Sequence, residues 1–246
     1  MWGTGFYRVN VTKVVDEIEF LMKGYDVDTF SFSDLMFPPK MTEPFCNEIL
    51  ERGIKANFFP LMSVVPGKTP WALMKNAGFI EVGIGVEIPS DIRTSIGKRF
   101  SYQVVKDFIR GATEAGILVK LFLIIGFPHE ESEDSVVNSY LAAFKELMPH
   151  FLRIHFATPF PGTKDWVTYC DRRYRDNWLY PVPEVFNHMT TMEPVMRFNL
   201  SPEELLSAKE RILREYYDLP EFAVIYRGLD SKQQEMVRIF APWLSA

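Results

Sequence analysis

Residues 118–128, LVKLFLIIGFP, form the most strand-like run in the sequence. The side chains are apolar almost throughout, and Gly126 and Pro128 end the run. A short apolar run bounded by glycine and proline favours a strand buried on both faces, as strands are in parallel sheets. Parallel strands need crossover connections, so we expect a helix on either side of this run.

The flanking segments have the pattern of helices, SYQVVKDFIRGATEAG (101–116) before the run and ESEDSVVNSYLAAFKELMP (131–149) after it. The same alternation covers the first two thirds of the chain. Further strands are predicted at 29–34, 54–61, 81–88 and 151–162, and further helices at 11–25, 42–53 and 69–78. About five strands, each separated from the next by a helix, predict an α/β fold whose right-handed crossovers curl a parallel sheet toward a barrel.

The alternation stops near residue 164. A stretch rich in Trp, Tyr and Arg follows, and then SPEELLSAKERILREYY (201–217), in which Ser201 and Glu204 indicate a helix that begins with a capping box. We therefore predict a partial (β/α) barrel over residues 1–163 and a C-terminal helical appendage over residues 164–246. The appendage is not expected to fold as a second unit.

Length and charge exclude several classes of protein. A chain of 246 residues, 47% of them hydrophobic, can bury a full core. The net charge of −5 is spread along the chain without a basic block, so nucleic acid is not suggested as a partner. No apolar run approaches the roughly 20 residues of a membrane span, and the first residues lack the apolar core of a signal peptide. We expect a cytoplasmic protein that does not bind membranes and acts on a small molecule.

The chain has two cysteines, Cys46 and Cys170, each within a predicted helix. Two distant thiols cannot supply a disulfide framework, a zinc site or an iron–sulfur ligand set by themselves. We interpret both as packed thiols and predict no metal ligands in this sequence.

Five segments, taken in order, carry a resemblance to a known family: YRVNVTKVVDEIEFLMKGYDVDTFSFSD (7–34), LMKNAGFIEVGIGVEIPSD (73–91), EAGILVKLFLIIGFPHE (114–130), FATPFPGT (156–163) and LSPEELLSAKERILREYY (200–217). Together they resemble the radical S-adenosylmethionine superfamily, most closely the branch with an N-terminal cobalamin-binding domain. The resemblance implies a partial (β/α)6 barrel that binds S-adenosylmethionine across the carboxyl ends of its strands. It also implies a [4Fe-4S] cluster, on a Cys-x-x-x-Cys-x-x-Cys loop after the first strand, that reduces the sulfonium to a 5′-deoxyadenosyl radical.

The cluster loop of the family is expected just before WGTGFYR, where this sequence begins. The first strand and the three cluster cysteines are therefore missing from this chain. We favour a late start or a truncation of a longer enzyme, in which cobalamin is a further possible cofactor. A relative that has lost the chemistry is the alternative.

The resemblance assigns cofactor contacts to the loop after the third strand. Glu87 matches a carboxylate that accepts hydrogen bonds from the ligand. Lys98 and Arg99 follow where the family often has a basic residue near the methionyl carboxylate. The plainer interpretation is a strand-end carboxylate in solvent or paired with Lys98, beside solvated loop charges.

Other strand ends supply the remaining predicted cofactor contacts, which are Asp34, Gly126, Pro128, Thr158 and Pro159. Asp34 ends the first strand, where the family commonly has a polar residue. Gly126 and Pro128 would let the backbone approach the adenine closely, or they simply make a tight turn.

The last strand carries the predicted substrate contacts. Arg153 and His155 share one face of this strand, because side chains alternate along it. A structural histidine is the alternative interpretation. Glu130 is predicted to lie at a helix N-terminus, against the helix dipole.

Two further functions stay open at this point. A barrel hydrolase could use Glu87 and Glu130 as an acid and base pair. A non-catalytic barrel could have kept ligand or partner binding after losing its cluster.

The missing first strand predicts an exposed sheet edge. In the family that strand pairs with the one at residues 29–34, so its absence would leave Phe30 and Phe32 near an unpaired edge. An unpaired edge is a template for another chain. We therefore expect self-association through residues 29–34.

Overall fold

Parallel β-pairing organises the structure, a computed structural model that describes residues 10–32, 36–65, 67, 69–86, 102–180 and 193–244. The strands are β1 (Thr29–Ser31), β2 (Asn57–Phe59), β3 (Leu61–Met62), β4 (Glu81–Gly85), β5 (Leu118–Ile125) and β6 (Phe151–Phe156). β1 pairs with β2, and the others follow in the order β3-β4-β5-β6, with every pair parallel. The α/β fold of parallel strands is confirmed.

Pro60 divides one predicted strand into two. The sequence predicted a single strand at 54–61, but proline has no N–H to donate to a neighbouring strand. β2 therefore ends at Phe59 and pairs with β1, while β3 begins at Leu61 and pairs with β4. The carbonyl of Pro60 still accepts a hydrogen bond from Gly83 N at 2.9 Å, so the two sheets continue into each other around the proline.

Helices connect the strands and extend beyond them. They are α1 (Val11–Tyr25), α2 (Pro39–Glu51), α3 (Trp71–Asn76), α4 (Tyr102–Glu114), α5 (Glu133–Leu147), α6 (Lys164–Tyr169), α7 (Pro202–Tyr217), α8 (Pro220–Gly228) and α9 (Ser231–Phe240), with a 3-10 helix at Arg172–Asn177. The helix predicted at 42–53 begins earlier, at Pro39, because proline is well tolerated in the first helical turn. Within the described ranges, no helix has the length and hydropathy of a membrane span.

β5 and β6 each have one face that is more deeply buried than the other. Val119, Leu121, Leu123 and Ile125 of β5 are fully buried, while the alternate side chains of Lys120, Phe122 and Ile124 are only partly buried. β6 repeats the pattern, with Arg153 and His155 on its less buried face. In the parallel register Phe122 lies opposite Arg153, so these partly buried residues share one face of the sheet.

The C-terminal helices pack into the same core as the strands. α7 begins with the predicted capping box, in which Ser201 Oγ accepts from Glu204 N at 3.2 Å. Its buried residues Leu205, Ala208 and Ile212 belong to the hydrophobic cluster that the strands form. Arg211 Nη1 lies 2.8 Å from Glu133 Oε1 of α5. The division at residue 163 stays a prediction, and α7 completes the core of the sheet.

Among the described residues, β1 pairs with β2 alone, so the other edge of β1 has no partner strand. Phe30 and Phe32 are partly buried, and each ring centroid lies 6.1 Å from that of Phe58. Their packing covers part of the apolar surface near the edge. Self-association through this edge stays a prediction.

Candidate functional site

The loops after β5 and β6 lie side by side at the carboxyl edge of the sheet. Ile125 and Phe156 are register partners at the ends of their strands, and Ala157 N donates to Ile125 O at 2.7 Å. The segments that begin at Gly126 and Thr158 therefore leave the sheet together. The carboxyl edge is where parallel α/β folds build their sites.

Glu130 holds the loop after β5 closed on itself. Its Oε2 accepts hydrogen bonds from Gly126 N at 2.5 Å and from Phe127 N at 2.9 Å. The residue is 7% exposed. Gly126 has a φ of +93°, a conformation that side chains disfavour, so the turn itself requires glycine here. The turn interpretation of Gly126 is thus supported directly, while contact with a cofactor stays a prediction.

The predicted helical position of Glu130 is wrong. α5 begins at Glu133 with Ser132 as its N-cap, and Glu133 and Asp134 are the acidic residues of its first turn. Glu130 precedes the helix, and its carboxylate binds backbone N–H groups of the loop instead. This engagement also removes the support for Glu130 as the acid or base of a hydrolase.

Asn199 fixes the same loop from a distant part of the chain. Its Nδ2 donates to the carbonyl of Pro128 at 2.9 Å and to that of Glu130 at 3.1 Å. Sequence analysis missed this residue, because it lies about 70 positions from its partners and no local motif marks it. The loop after β5 is therefore held by hydrogen bonds to two side chains, the carboxylate of Glu130 within the loop and the amide of Asn199 from a distant segment.

Replacing Glu130 by Gln should lower the free energy of unfolding by about 1–3 kcal/mol, the range for hydrogen bonds to a charged acceptor. The amide keeps one acceptor oxygen but loses the charge that strengthens both bonds. Urea unfolding monitored by circular dichroism measures the change. Glu131→Gln is the matched control, since Glu131 is exposed. Equal loss in both variants would contradict the role of Glu130.

The loop after β6 has its polar groups directed to its own backbone. Thr158 Oγ1 donates to Phe156 O at 3.1 Å, and Pro159 is buried. Thr163 Oγ1 accepts from Trp166 N at 3.1 Å and caps α6. These contacts explain the residue types by turn and cap formation, and cofactor contact by Thr158 and Pro159 stays a prediction.

Arg153 and His155 lie together on the less buried face of β6, as the alternation predicted. The His155 ring stacks on Phe122 of β5, with centroids 6.0 Å apart and planes at 16°. Burial, Arg153 and Lys209 together hold the pKa of His155 below its usual value. Lys209, on α7, was not among the sequence candidates.

A buried ion pair lies at the opposite end of the strands. Glu81, at the start of β4, places Oε1 2.6 Å from Lys120 Nζ on β5. The Lys120 ammonium also lies 5.6 Å from the Phe151 ring centroid and 5.1 Å from that of Phe240. Burial raises the pKa of Glu81, and the ion pair with Lys120 opposes this. Sequence analysis did not predict this pair.

The two cysteines have different environments. Cys46 is fully buried in α2, where burial raises the pKa of its thiol to about 12. Cys170 caps the C-terminus of α6 and is exposed, so the interpretation of Cys170 as a packed thiol is wrong. Within the described ranges, no three His, Cys, Asp or Glu side chains group closely enough to hold a metal ion. Cluster sites of the [4Fe-4S] type use Cys thiolates in threes or fours, so these two thiols do not fit such a cluster.

The remaining candidates, Asp34, Glu87, Lys98 and Arg99, lie outside the described residues. A cavity of about 170 Å³ lies between the loop after β3, at Val65, Gly67 and Thr69, and the helices α3 and α4, at Trp71 and Asp107.

Comparison with known sequences gives two relatives. An uncharacterized methyltransferase of Pyrococcus horikoshii is 27% identical over 212 residues, which cover 85% of this chain and 44% of the relative. An anaerobic magnesium-protoporphyrin IX monomethyl ester cyclase of Rubrivivax gelatinosus is 27% identical over 166 residues, 63% of this chain and 29% of the relative. The chain thus spans less than half the length of each. No protein-family model matches it.

Solved structures show a similar fold. A radical S-adenosylmethionine methyltransferase, TsrM of Kitasatospora setae, with cobalamin and a [4Fe-4S] cluster bound, has a TM-score of 0.56 and 19% identity over 64% of this chain and 33% of its own. Coproporphyrinogen III oxidase (HemN) of Escherichia coli, described as a radical SAM enzyme, has a TM-score of 0.51 and 13% identity over 84% of this chain and 44% of its own. The chain has the fold of these two enzymes over the part that aligns with them.

Proposed function

We propose that this chain forms the S-adenosylmethionine-binding core of a radical S-adenosylmethionine enzyme, with methyl transfer the favoured reaction of the whole protein. The observation that carries the proposal is the parallel sheet whose strand-end loops, 126–130 and 158–163, emerge side by side. The methyltransferase relative, which matches 85% of this chain, and the methyltransferase neighbour TsrM favour methyl transfer. Cobalamin, which is bound in the structure of TsrM, is a further proposed cofactor of the whole protein.

The proposed ligand site spans the carboxyl edge of β4, β5 and β6. The loop after β5 is held rigid by Glu130 and Asn199, so its backbone is fixed before a ligand binds. Glu87, just beyond β4, would accept hydrogen bonds from the ribose or amino group of S-adenosylmethionine, with Lys98 near the carboxylate. Asp34 would lie beside the same site.

Radical chemistry in this superfamily is supplied by a cluster, and the two thiols of this sequence do not fit one. The part of the activity that we assign to this chain is therefore ligand binding.

Binding of S-adenosylhomocysteine tests the proposal. We expect calorimetry to show saturable binding to this chain, and Glu87→Gln to weaken it by about 1–3 kcal/mol, the range for a hydrogen bond to a charged acceptor. Glu131→Gln is the control, because Glu131 is exposed on the neighbouring loop. The absence of binding to the unmodified chain would sink the proposal. Equal affinities of the two variants would remove Glu87 from the site.

A further inference from the structure

Asn199 lies in a stretch of backbone that is fixed on both sides. Arg197, two residues before it, donates its N–H to Asn177 O at 2.8 Å, and Asn177 Nδ2 donates to Arg197 O at 2.7 Å. Ser201, two residues after it, is the N-cap of α7. The position of Asn199 is therefore set by pairing with a distant segment before it and by the start of a helix after it.

The same stretch packs against the segment that follows the loop after β6. That loop leads directly into α6, whose Tyr169 packs against Phe198 with ring centroids 5.1 Å apart. The carbonyl of Tyr169 also accepts a hydrogen bond from Trp178 Nε1 at 2.7 Å. This aromatic packing connects Phe198, the residue before Asn199, to the helix that continues the loop after β6.

Asn199 and Glu130 hold different groups of the loop after β5. The amide of Asn199 donates to two carbonyls, those of Pro128 at 2.9 Å and Glu130 at 3.1 Å. The carboxylate of Glu130 instead accepts from the N–H groups of Gly126 and Phe127. One side chain therefore fixes carbonyl groups of the turn, and the other fixes N–H groups. Backbone that is fixed before binding reduces the ordering entropy that a ligand must otherwise overcome.

We propose that Asn199 is a positioning residue for the ligand site of the proposed function, on which this inference rests. It acts through the backbone of residues 126–130 and is assigned no contact with the ligand itself. The property that the position requires is an N–H donor, because both partners of the side chain are carbonyl oxygens. Loss of the donor should therefore weaken ligand binding without a change in any group that touches the ligand.

Asn199→Asp tests the donor, because it keeps the size and shape of the side chain and replaces its N–H groups by an acceptor oxygen. At pH 7 the amides of Gly126, Phe127 and Glu130, which are hydrogen-bonded in the loop, should exchange with deuterium about tenfold faster than in the unmodified chain. NMR spectra measure this exchange against that of the β5 amides, which report global unfolding. Asn199→Ala should change the exchange in the same direction by a smaller factor, because it removes the donor without placing a charge beside two carbonyls.

Binding of S-adenosylhomocysteine is the second readout. Calorimetry at pH 7 should give a dissociation constant about tenfold higher for Asn199→Asp than for the unmodified chain, the effect of losing two hydrogen bonds of modest net strength. Gln234→Glu is the matched control, because Gln234 Nε2 donates to the carbonyls of Tyr226 and Leu229, at 3.0 and 3.2 Å, in another part of the chain. It should leave both the exchange of the loop amides and the affinity unchanged.

Three results would overturn this inference while leaving the proposed function in place. Equal affinities of Asn199→Asp and the unmodified chain would make the contact structural only. Unchanged exchange of the loop amides would contradict an action through the loop, and an equal loss of affinity in Gln234→Glu would assign the effect to general destabilisation. If the unmodified chain itself does not bind S-adenosylhomocysteine, the proposed function fails and this inference fails with it, so the unmodified chain distinguishes the two kinds of failure.

Discussion

Replacing Glu81 by Gln should lower the free energy of unfolding by about 3 kcal/mol, the lower end of the range for breaking a buried ion pair. The pair joins Glu81 Oε1 to Lys120 Nζ at 2.6 Å, with side chains only 6% and 16% exposed. The substitution leaves the ammonium of Lys120 buried without its counter-charge. The rings of Phe151 and Phe240 face that ammonium and partly stabilise it, so we expect the lower end.

A double-mutant cycle separates the pair from the packing around it. Glu81→Met alone and Lys120→Met alone should each destabilise the protein, while the two together should recover to within about 1 kcal/mol of the unmodified chain, because two apolar side chains leave no buried charge. Asp107→Asn is the control for an exposed pair with Arg110, whose side chain is 64% exposed. It should cost under about 1 kcal/mol. Additive effects of the two core substitutions in urea unfolding would contradict the coupling.

The sequence predicted the alternation of strands and helices, because the apolar pattern of each element lies within one short segment of the chain. The apolar run at 118–128 became β5 at Leu118–Ile125, and the amphipathic segments around it became α4 and α5. The break at Pro60 could have been read from the missing N–H of proline. The start of α2 at Pro39 could also have been predicted, because proline is favoured in the first turn of a helix.

Contacts between distant elements were the part that the sequence could not predict. Glu81 meets Lys120 because β4 and β5 pair in one particular register, in which Gly83 lies opposite Lys120. Asn199 meets the loop after β5 only because α7 packs on the sheet. Lys209 joins Arg153 and His155 for the same reason. Alternation along β6 was sufficient to place Arg153 and His155 on one face, but not to predict the position of Lys209.

His150 is the residue from which we expect the second large effect, a loss of stability as the pH falls. It is 2% exposed, at the turn before β6, and its Nδ1 accepts a hydrogen bond from Val119 N at 3.0 Å. Burial lowers the pKa of His150 to about 4, whereas an unfolded chain has a histidine pKa of about 6.5. The unfolded state therefore binds a proton between these values while the folded state does not. The contribution is present in full above pH 6.5 and is lost as the pH falls toward 4.

The expected loss between pH 7 and pH 4 is about 3 kcal/mol from this residue, because one pKa unit corresponds to about 1.4 kcal/mol. The pKa of His155 is also lowered, so His155 contributes with the same sign.

Comparison with a variant isolates the contribution of His150. In His150→Asn the amide oxygen can accept from Val119 N at any pH, so urea unfolding from pH 7 to pH 4 should show a flatter slope. His129→Asn, at an exposed position, should keep the slope of the unmodified chain. If His150→Asn instead loses stability with pH as steeply as the unmodified chain, the proton is taken up elsewhere, and burial of His150 does not set the acid limit of the fold.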